Sequence, residues 1–180
     1  FAQQATVLHC RIANNSGYAW SGGAGGGISA GIVEIRNSLV TGNSLRTINC
    51  GHGPSGGGIA ANLLLAENIV CSGNGTTYCA PSDGVAIFVG QSGSSVIRSS
   101  IITGNWGYEQ FGQGDPDPPK SVIFGSLMSI ANLFFDHNAD SLFAGGTVDS
   151  SGHVHADPLF ANPSAGDFRL LLHSPAIDRG

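Results

Sequence analysis

Short runs of three to five residues, in which apolar and polar side chains alternate, recur along the chain, as in Val33-Glu34-Ile35. This alternation is the period of a β-strand with one buried face. No segment shows the spacing of three to four residues that is typical of an amphipathic helix. Gly, Ser and Asn, which favour turns, separate the runs. The pattern predicts an all-β fold made of short strands and tight bends.

An apolar strand that closes on an asparagine occurs five times in the sequence. The closing residues are Asn15, Asn43, Asn74, Asn105 and Asn138. They are separated by 28, 31, 31 and 33 residues, and a second phrase, Gly-Gly-Gly-Ile, recurs with the same period at Ile28 and Ile59. A repeat of this length with two strand phases predicts a parallel β-solenoid, whose coils stack about 4.8 Å apart.

A tight bend is expected once per coil, at residues in register with each other: His9, Asn37, Asn68, Ser99 and Asn132. Asn tolerates the left-handed backbone conformation of such a bend, and its amide can bond to the next coil. We expect one domain over 1–180 with about five coils. Within it, 106–120 is predicted to be an inserted loop and 139–180 the terminal coil and cap.

Aligning the coils on the closing asparagines sorts the side chains into columns. One column is predicted to be core: Ile12, Val40, Cys71, Ile102 and Phe135. Strand alternation predicts that the neighbouring column faces outward: Arg11, Leu39, Val70, Ile101 and Phe134. An apolar strip on the outside of a solenoid is covered by the chain's own loops or binds a protein partner or a second copy. These interpretations, and an error in the register, stay open at this point.

A third column alternates in charge: Leu8, Arg36, Glu67, Arg98 and Ala131. Because stacked side chains lie close together, Arg36, Glu67 and Arg98 are expected to form an ion ladder. The same residue types could serve a polysaccharide lyase, with arginine as the base beside acids that bind calcium. The three residues are therefore also weak catalytic candidates.

Charge is sparse and acidic in this chain. Lys and Arg number 7 against 12 Asp and Glu, which gives a net charge of −5, and only 11% of the residues are charged. No basic face is available for a phosphate backbone, so nucleic acid is not an expected partner. Apolar stretches such as 63–66 fall far short of the roughly 18 residues that span a bilayer, so no membrane span is expected. The start at Phe1 leads us to expect part of a longer precursor.

The four cysteines occupy different places in the repeat. Cys10 and Cys71 lie two coils apart, beyond the roughly 7 Å that a disulfide spans between Cα atoms. Cys50 and Cys79 follow the closing asparagines of adjacent coils, so they are predicted to share a loop and form a disulfide. A bond between Cys71 and Cys79 is the alternative, and so are free thiols throughout.

Two segments carry candidate chemistry. His153, His155 and Asp157 are weak candidate metal ligands, because positions i, i+2 and i+4 of a strand share one face. The inserted loop holds the candidate binding residues Trp106, Tyr108, Phe111, Asp115 and Asp117. Aromatic rings stack on sugar faces, and acids bind sugar hydroxyls or calcium. The alternative is that these aromatic residues only cover the outward apolar strip. No cofactor is required by either segment, although calcium would fit the acids.

The repeat phrases resemble those of a known family. Residues 35–43 (Ile-Arg-Asn-Ser-Leu-Val-Thr-Gly-Asn) and 56–59 (Gly-Gly-Gly-Ile) are similar to right-handed parallel β-helix repeats, including polymorphic outer-membrane-protein repeats. The segment 156–180, with Asp-Pro-Leu-Phe at 157–160 and Ser-Pro-Ala-Ile-Asp at 174–178, resembles the closing coil of bacterial choice-of-anchor β-helix proteins. The resemblance implies a right-handed, single-stranded coil and an exported protein at the bacterial outer surface or in the periplasm.

The leading functional hypothesis is a non-catalytic, extracellular or cell-surface β-helix module. It would act in structure, adhesion or assembly through its outward apolar strip and its aromatic loop, with a protein partner, a second copy or a glycan. One alternative is a polysaccharide lyase or hydrolase of the β-helix type. Another is a stacking subunit of an extracellular filament, because the ends of a solenoid expose unpaired backbone groups.

Overall fold

The structure is a computed structural model that describes residues 2–20, 24–47, 55–78, 84–90, 94–109, 121–139, 141–146 and 148–178. Within these residues the regular structure is β, apart from a short 3-10 helix at Pro163–Ala165. The strands are β1 (Ala2–Leu8), β2 (Arg11–Ala13), β3 (Ser16–Ala19), β4 (Ile28–Thr41), β5 (Ser44–Thr47), β6 (Ile59–Ser72), β7 (Gly75–Tyr78), β8 (Ile87–Val89), β9 (Ser95–Arg98), β10 (Ile101–Thr103), β11 (Trp106–Glu109), β12 (Ser121–Phe124), β13 (Leu127–Ile130), β14 (Leu133–Phe135), β15 (Ser141–Ala144), β16 (Val148–Ser151), β17 (Val154–His155), β18 (Phe160–Asn162) and β19 (Asp167–Leu170).

Strands β1 to β17 stack in parallel on strands of the neighbouring coils, which confirms the predicted parallel β-solenoid. They form a large sheet of 13 strands and a separate sheet of four, β3, β5, β7 and β11. The solenoid has about three full turns, against the five coils predicted. Among the described strands, β12 to β17 belong to the large sheet only.

Strands β4 and β6 are 14 residues long because each continues through a bend of the large sheet. The bends lie at Asn37 and Asn68, whose φ angles of 49° and 51° are left-handed, and the Asn68 amide donates to Asn37 Oδ1 at 2.7 Å. His9 and Ser99 adopt the same conformation in their coils, as predicted. In the next coil, however, the left-handed residue is Ala131 and not Asn132.

Ala131 takes this place because the observed register of the last predicted coil differs from the predicted one by one residue. Ile102 pairs with Phe134, where Phe135 was expected, and Arg98 pairs with Ile130, where Ala131 was expected. The prediction that Phe134 faces outward is therefore wrong: it is 1% exposed, whereas Phe135 is 38% exposed. The alignment used Asn138, although the residue in the closing position is His137, as its hydrogen bond below shows.

The inside of the solenoid holds two rows of stacked apolar side chains. One row is Val40, Cys71, Ile102 and Phe134, and the other is Ile28, Ile59, Ile87 and Ile123. Every member is buried in the core. Stacking equivalent residues in this way buries apolar surface along the axis, at roughly 25 cal/mol per Å². Ile12, in the first coil, packs against this core and is only partly buried.

The closing asparagines form a buried ladder beside this core. The Asn74 amide donates to Val40 O at 2.8 Å, and the Asn105 amide donates to Cys71 O at 3.0 Å. The Oδ1 atom of Asn74 accepts the backbone N–H of Asn43 at 3.0 Å. Asn43, Asn74 and Asn105 are at most 1% exposed, so these amides satisfy backbone groups that water cannot reach.

After β17 the chain leaves the coil and folds back along the solenoid as an antiparallel hairpin of β18 and β19. Gly166, in this hairpin, lies so close to the guanidinium of Arg11 that a Cβ atom there would contact it. Ser174 is buried and donates to Pro158 O at 2.6 Å, which ties the end of the segment to its start. The described part of the chain contains no apolar helix long enough to cross a membrane.

Candidate binding surfaces

Aromatic side chains and one arginine cover the outer face of the four-stranded sheet. Tyr18 pairs with Arg46, Arg46 with Thr77, and Thr77 with Tyr108, so the four form one column across successive coils. Tyr18 is 64% exposed and Tyr108 is 56% exposed, so both rings face solvent. Trp106 lies two residues before Tyr108 on the same strand and therefore on the same face. We call Tyr18, Arg46, Trp106 and Tyr108 the aromatic face.

Trp106 is held against the sheet by a glycine in the neighbouring coil. It pairs with Gly75, and a Cβ atom at Gly75 would overlap the atoms of the indole ring. The ring therefore packs on the bare backbone of β7 and is 37% exposed. A ring fixed in this way presents apolar surface to a ligand without first losing rotamer freedom.

Trp106 and Tyr108 were assigned to an inserted loop over 106–120, whereas Trp106–Glu109 is strand β11. The other three candidates of that loop, Phe111, Asp115 and Asp117, lie outside the described residues. Sequence analysis missed Tyr18 and Arg46, although both stand three residues after a closing asparagine, as Tyr108 does. When the aligned repeat includes the three residues after each closing asparagine, Tyr18, Arg46 and Tyr108 fall in one column.

Trp20 extends the aromatic surface beyond the first coil. It follows β3, two residues after Tyr18, and is 71% exposed. Arg46 forms no ion pair with any residue that the structure describes. The surface thus combines exposed rings with a guanidinium that pairs with no carboxylate of the described residues.

The predicted ion ladder is present on the large sheet. Glu67 lies between two arginines: its Oε1 is 3.0 Å from Arg98 Nη2, and its Oε2 is 3.8 Å from Arg36 Nε. Arg36 also pairs with Glu34 at 2.9 Å. All four side chains are between about one third and one half exposed, and pairs of this exposure contribute about 1 kcal/mol or less each. The ion ladder therefore contributes little to the free energy of unfolding, although it connects neighbouring coils.

The outward apolar strip is real but follows the corrected register: Leu39, Val70, Ile101, Leu133 and Val154. The C-terminal segment lies along it. Leu170, Pro175 and Ala176 share a cavity of about 280 Å³ with Val70 and Ile101. Leu133 is 3% exposed, while Val70 and Ile101 are half-buried. The position of the C-terminal segment agrees with covering by the chain itself over Val70 and Ile101, and the error in the register accounts for Phe134.

The histidines near the C-terminal end lie in an aromatic cluster. Phe134 contacts the rings of Phe143, His153 and His155 at centroid distances of 5.5, 5.2 and 6.0 Å. Asp157 does not join them, since its Oδ1 accepts the Leu159 N–H at 2.8 Å in a turn. Among the described residues no group of three His, Cys, Asp or Glu could hold a metal ion. The three weak metal candidates are thus divided between a ring cluster and a turn.

His137 takes the closing position in this coil. Its Nε2 lies 3.0 Å from Ile102 O, and burial lowers the pKa of His137 from 6.5 to about 4. The ring is therefore neutral at pH 7, with the Nε2 proton donated to the carbonyl. Its Nδ1 and the Nε2 of His153 are buried with no hydrogen-bond partner among the described residues. Burial also lowers the pKa of His153.

Two cysteines lie within the described residues, and both are free. Cys10 is exposed, whereas Cys71 is buried in the core, and burial raises the pKa of its thiol to about 12. The expectation that Cys10 and Cys71 do not pair is confirmed, and the alternative bond from Cys71 to Cys79 is wrong. The predicted bond between Cys50 and Cys79 lies outside the described residues.

Comparison with models of protein families, with curated proteins and with solved structures finds no match for this chain. A functional assignment therefore depends on the fold and on the chemistry of the surfaces described above. The aromatic face is the surface on which exposed rings occur together with a guanidinium that has no ion-pair partner among the described residues.

Proposed function

We propose that this protein is a non-catalytic β-solenoid module that adheres to carbohydrate through its aromatic face. The observation that carries the proposal is the presence of three exposed rings, Tyr18, Trp106 and Tyr108, on one face of the four-stranded sheet, with the Trp106 ring packed on Gly75. Sugar rings have apolar faces that stack on aromatic rings, while their hydroxyls bond to polar groups at the edge. A rigid, open platform suits a long polymer better than a small molecule.

The solenoid gives this platform its rigidity. Four strands hold the face in parallel register, and the buried asparagine ladder fixes each coil on the next. Binding residues on strands keep a more precise geometry than binding residues on loops. Ligand binding therefore costs the protein little conformational entropy.

The proposed module is exported and lies outside the cell. Resemblance of 35–43 and 156–180 to polymorphic outer-membrane-protein repeats and to choice-of-anchor closing coils supports an exported, bacterial cell-surface or extracellular module. A glycan of the cell envelope or of the surroundings is the partner that such a location offers. The outward apolar strip is not needed for this role, because the C-terminal segment lies along it.

The ion ladder supports a binding module over the lyase alternative. A lyase base must be free to accept a proton from the substrate. Arg36 and Arg98 both pair with Glu67, and Arg36 pairs with Glu34 as well. The two guanidiniums and the two carboxylates therefore neutralise one another on the sheet surface.

Affinity electrophoresis in gels that contain single polysaccharides tests the proposal. The wild-type protein should be retarded by at least one polymer of a neutral and acidic panel. Trp106→Ala should weaken that retardation about tenfold, the loss expected for one stacking ring. Met128→Ala, which removes an exposed apolar side chain from the large sheet, is the matched control and should bind as the wild type does. Equal binding by Trp106→Ala would contradict the proposal.

A further inference from the structure

Arg46 differs from the arginines of the ion ladder in its surroundings. Arg36 and Arg98 each have a carboxylate within reach on the large sheet, and Arg169 pairs with Asp167 in the C-terminal hairpin. Arg46 has no such partner among the described residues, although it is exposed on a regular strand beside the exposed Tyr18. Its planar guanidinium can therefore present two parallel donors to an external oxyanion.

The column that contains Arg46 sets the orientation of a ligand on the aromatic face. Tyr18 precedes it by one coil and Tyr108 follows it by two, so the column runs along the solenoid axis over three coil spacings of about 4.8 Å. An extended polysaccharide that lay along this axis would place successive sugars over successive coils. Thr77, whose side chain is short and carries a hydroxyl, lies between Arg46 and Tyr108 in this column.

We infer that the ligand of the aromatic face is an anionic polysaccharide that lies along the solenoid axis. Its carboxylate or sulfate group pairs with Arg46, while its sugar rings stack on Tyr18, Tyr108 and Trp106. This inference rests on the proposed function, since it names the class of glycan that the same face binds.

The net charge of the protein makes the inference specific. At −5 the chain as a whole repels a polyanion, so general electrostatic attraction cannot bring the two together. Any preference for a charged polymer must then come from a local pair. The removal of that pair should abolish the preference.

The test compares three polymers with the full chain: a neutral galactan, polygalacturonate and a sulfated galactan. Affinity electrophoresis at fixed ionic strength gives the dissociation constant for each. The wild type should bind one charged polymer about tenfold more tightly than the neutral galactan, as expected for a single bidentate pair. Which of the two it prefers identifies the anion as a carboxylate or a sulfate.

Arg46→Ala should remove the difference in affinity between the charged polymer and the neutral galactan. Arg169→Ala removes the same charge from the exposed C-terminal hairpin and should keep the preference. Equal affinity of the wild type for all three polymers, or a preference that survives Arg46→Ala, would overturn the inference and leave the proposed function standing. Absence of binding to every polymer would overturn both. Thermal unfolding of Arg46→Ala checks that the exposed substitution leaves the fold unchanged.

Discussion

His137 occupies in its coil the position that Asn105 occupies one coil earlier. The Asn105 amide donates to Cys71 O at 3.0 Å, and Nε2 of His137 lies 3.0 Å from Ile102 O, the carbonyl one coil along. A ring with one titratable nitrogen thus continues a ladder that amides build elsewhere. The stability of this end of the solenoid should therefore depend on pH.

The first prediction concerns that dependence. Because burial lowers the pKa of His137 from 6.5 to about 4, the unfolded chain binds a proton in this window and the native protein does not. The free energy of unfolding should be highest above pH 6.5 and decrease by about 2 to 3 kcal/mol as the pH falls to 4. Urea unfolding at several pH values measures it.

His137→Asn supplies the control for this prediction, because it restores the residue type of the other coils. The variant should fold at pH 7 and lose much of the decrease in stability between pH 6.5 and 4. A wild type whose stability is flat across this window, or a variant with an equal decrease, would show that His137 is not the group responsible.

The second prediction compares a buried and an exposed rung of asparagine. Asn74→Ala removes the donor to Val40 O and the acceptor of the Asn43 N–H, both buried. It should lower the free energy of unfolding by about 3 to 5 kcal/mol. Asn68→Ala removes an exposed hydrogen bond to Asn37 and leaves alanine at a left-handed bend, which should cost about 1 to 2 kcal/mol. Denaturant unfolding measures both variants. Equal losses of unfolding free energy would contradict the claim that the buried asparagine ladder stabilises the fold more than the exposed bond between Asn68 and Asn37 does.

The repeat period of the sequence was sufficient to predict the solenoid, the bends at Asn37 and Asn68, and the ion ladder of Arg36, Glu67 and Arg98. Each of these follows from residues that recur at one spacing. The fifth repeat was misplaced because a histidine can perform the role of the closing asparagine, and a search for Asn138 passes over it. Pattern alone could not distinguish Phe134 from Phe135, since both are apolar and only their pairing partners separate them.

The aromatic face was missed in part for a different reason. Aromatic residues near proline and glycine look like a loop by composition, so Trp106 was separated from the strand that carries it. The glycine that makes room for its ring, Gly75, lies in another coil, 31 residues earlier. Such a contact becomes visible only when the coils are stacked beyond the repeat phrase.

The third prediction follows from that contact. Gly75→Ala adds a methyl group where the Trp106 indole now lies, so the ring must leave the sheet surface. Glycan binding should weaken, and acrylamide should quench the fluorescence of Trp106 more strongly than in the wild type. Trp20 also emits, so both proteins are measured in a Trp20→Phe background. Unchanged quenching together with unchanged binding would show that the ring is not fixed by Gly75.

The fourth prediction concerns the C-terminal segment and the outward apolar strip. Ile101→Asp places a charge beneath Leu170 and Pro175, so the segment should detach and become sensitive to protease. Val96→Asp introduces the same charge at a half-buried outward position of the large sheet, away from the segment. It should leave the cleavage rate unchanged. If both variants are cleaved at the wild-type rate, the segment does not depend on the strip for its position.

The central claim is that the aromatic face binds a glycan that the protein does not cleave. The most direct measurement incubates the polysaccharide that retards the wild type with a molar excess of protein and calcium, and then determines both the bound fraction and the polymer length. Our account predicts a bound polymer of unchanged length and a large loss of binding in Trp106→Ala. Shortened chains with unsaturated ends, abolished by Arg98→Ala or Arg36→Ala, would contradict it and make the ion ladder an active site.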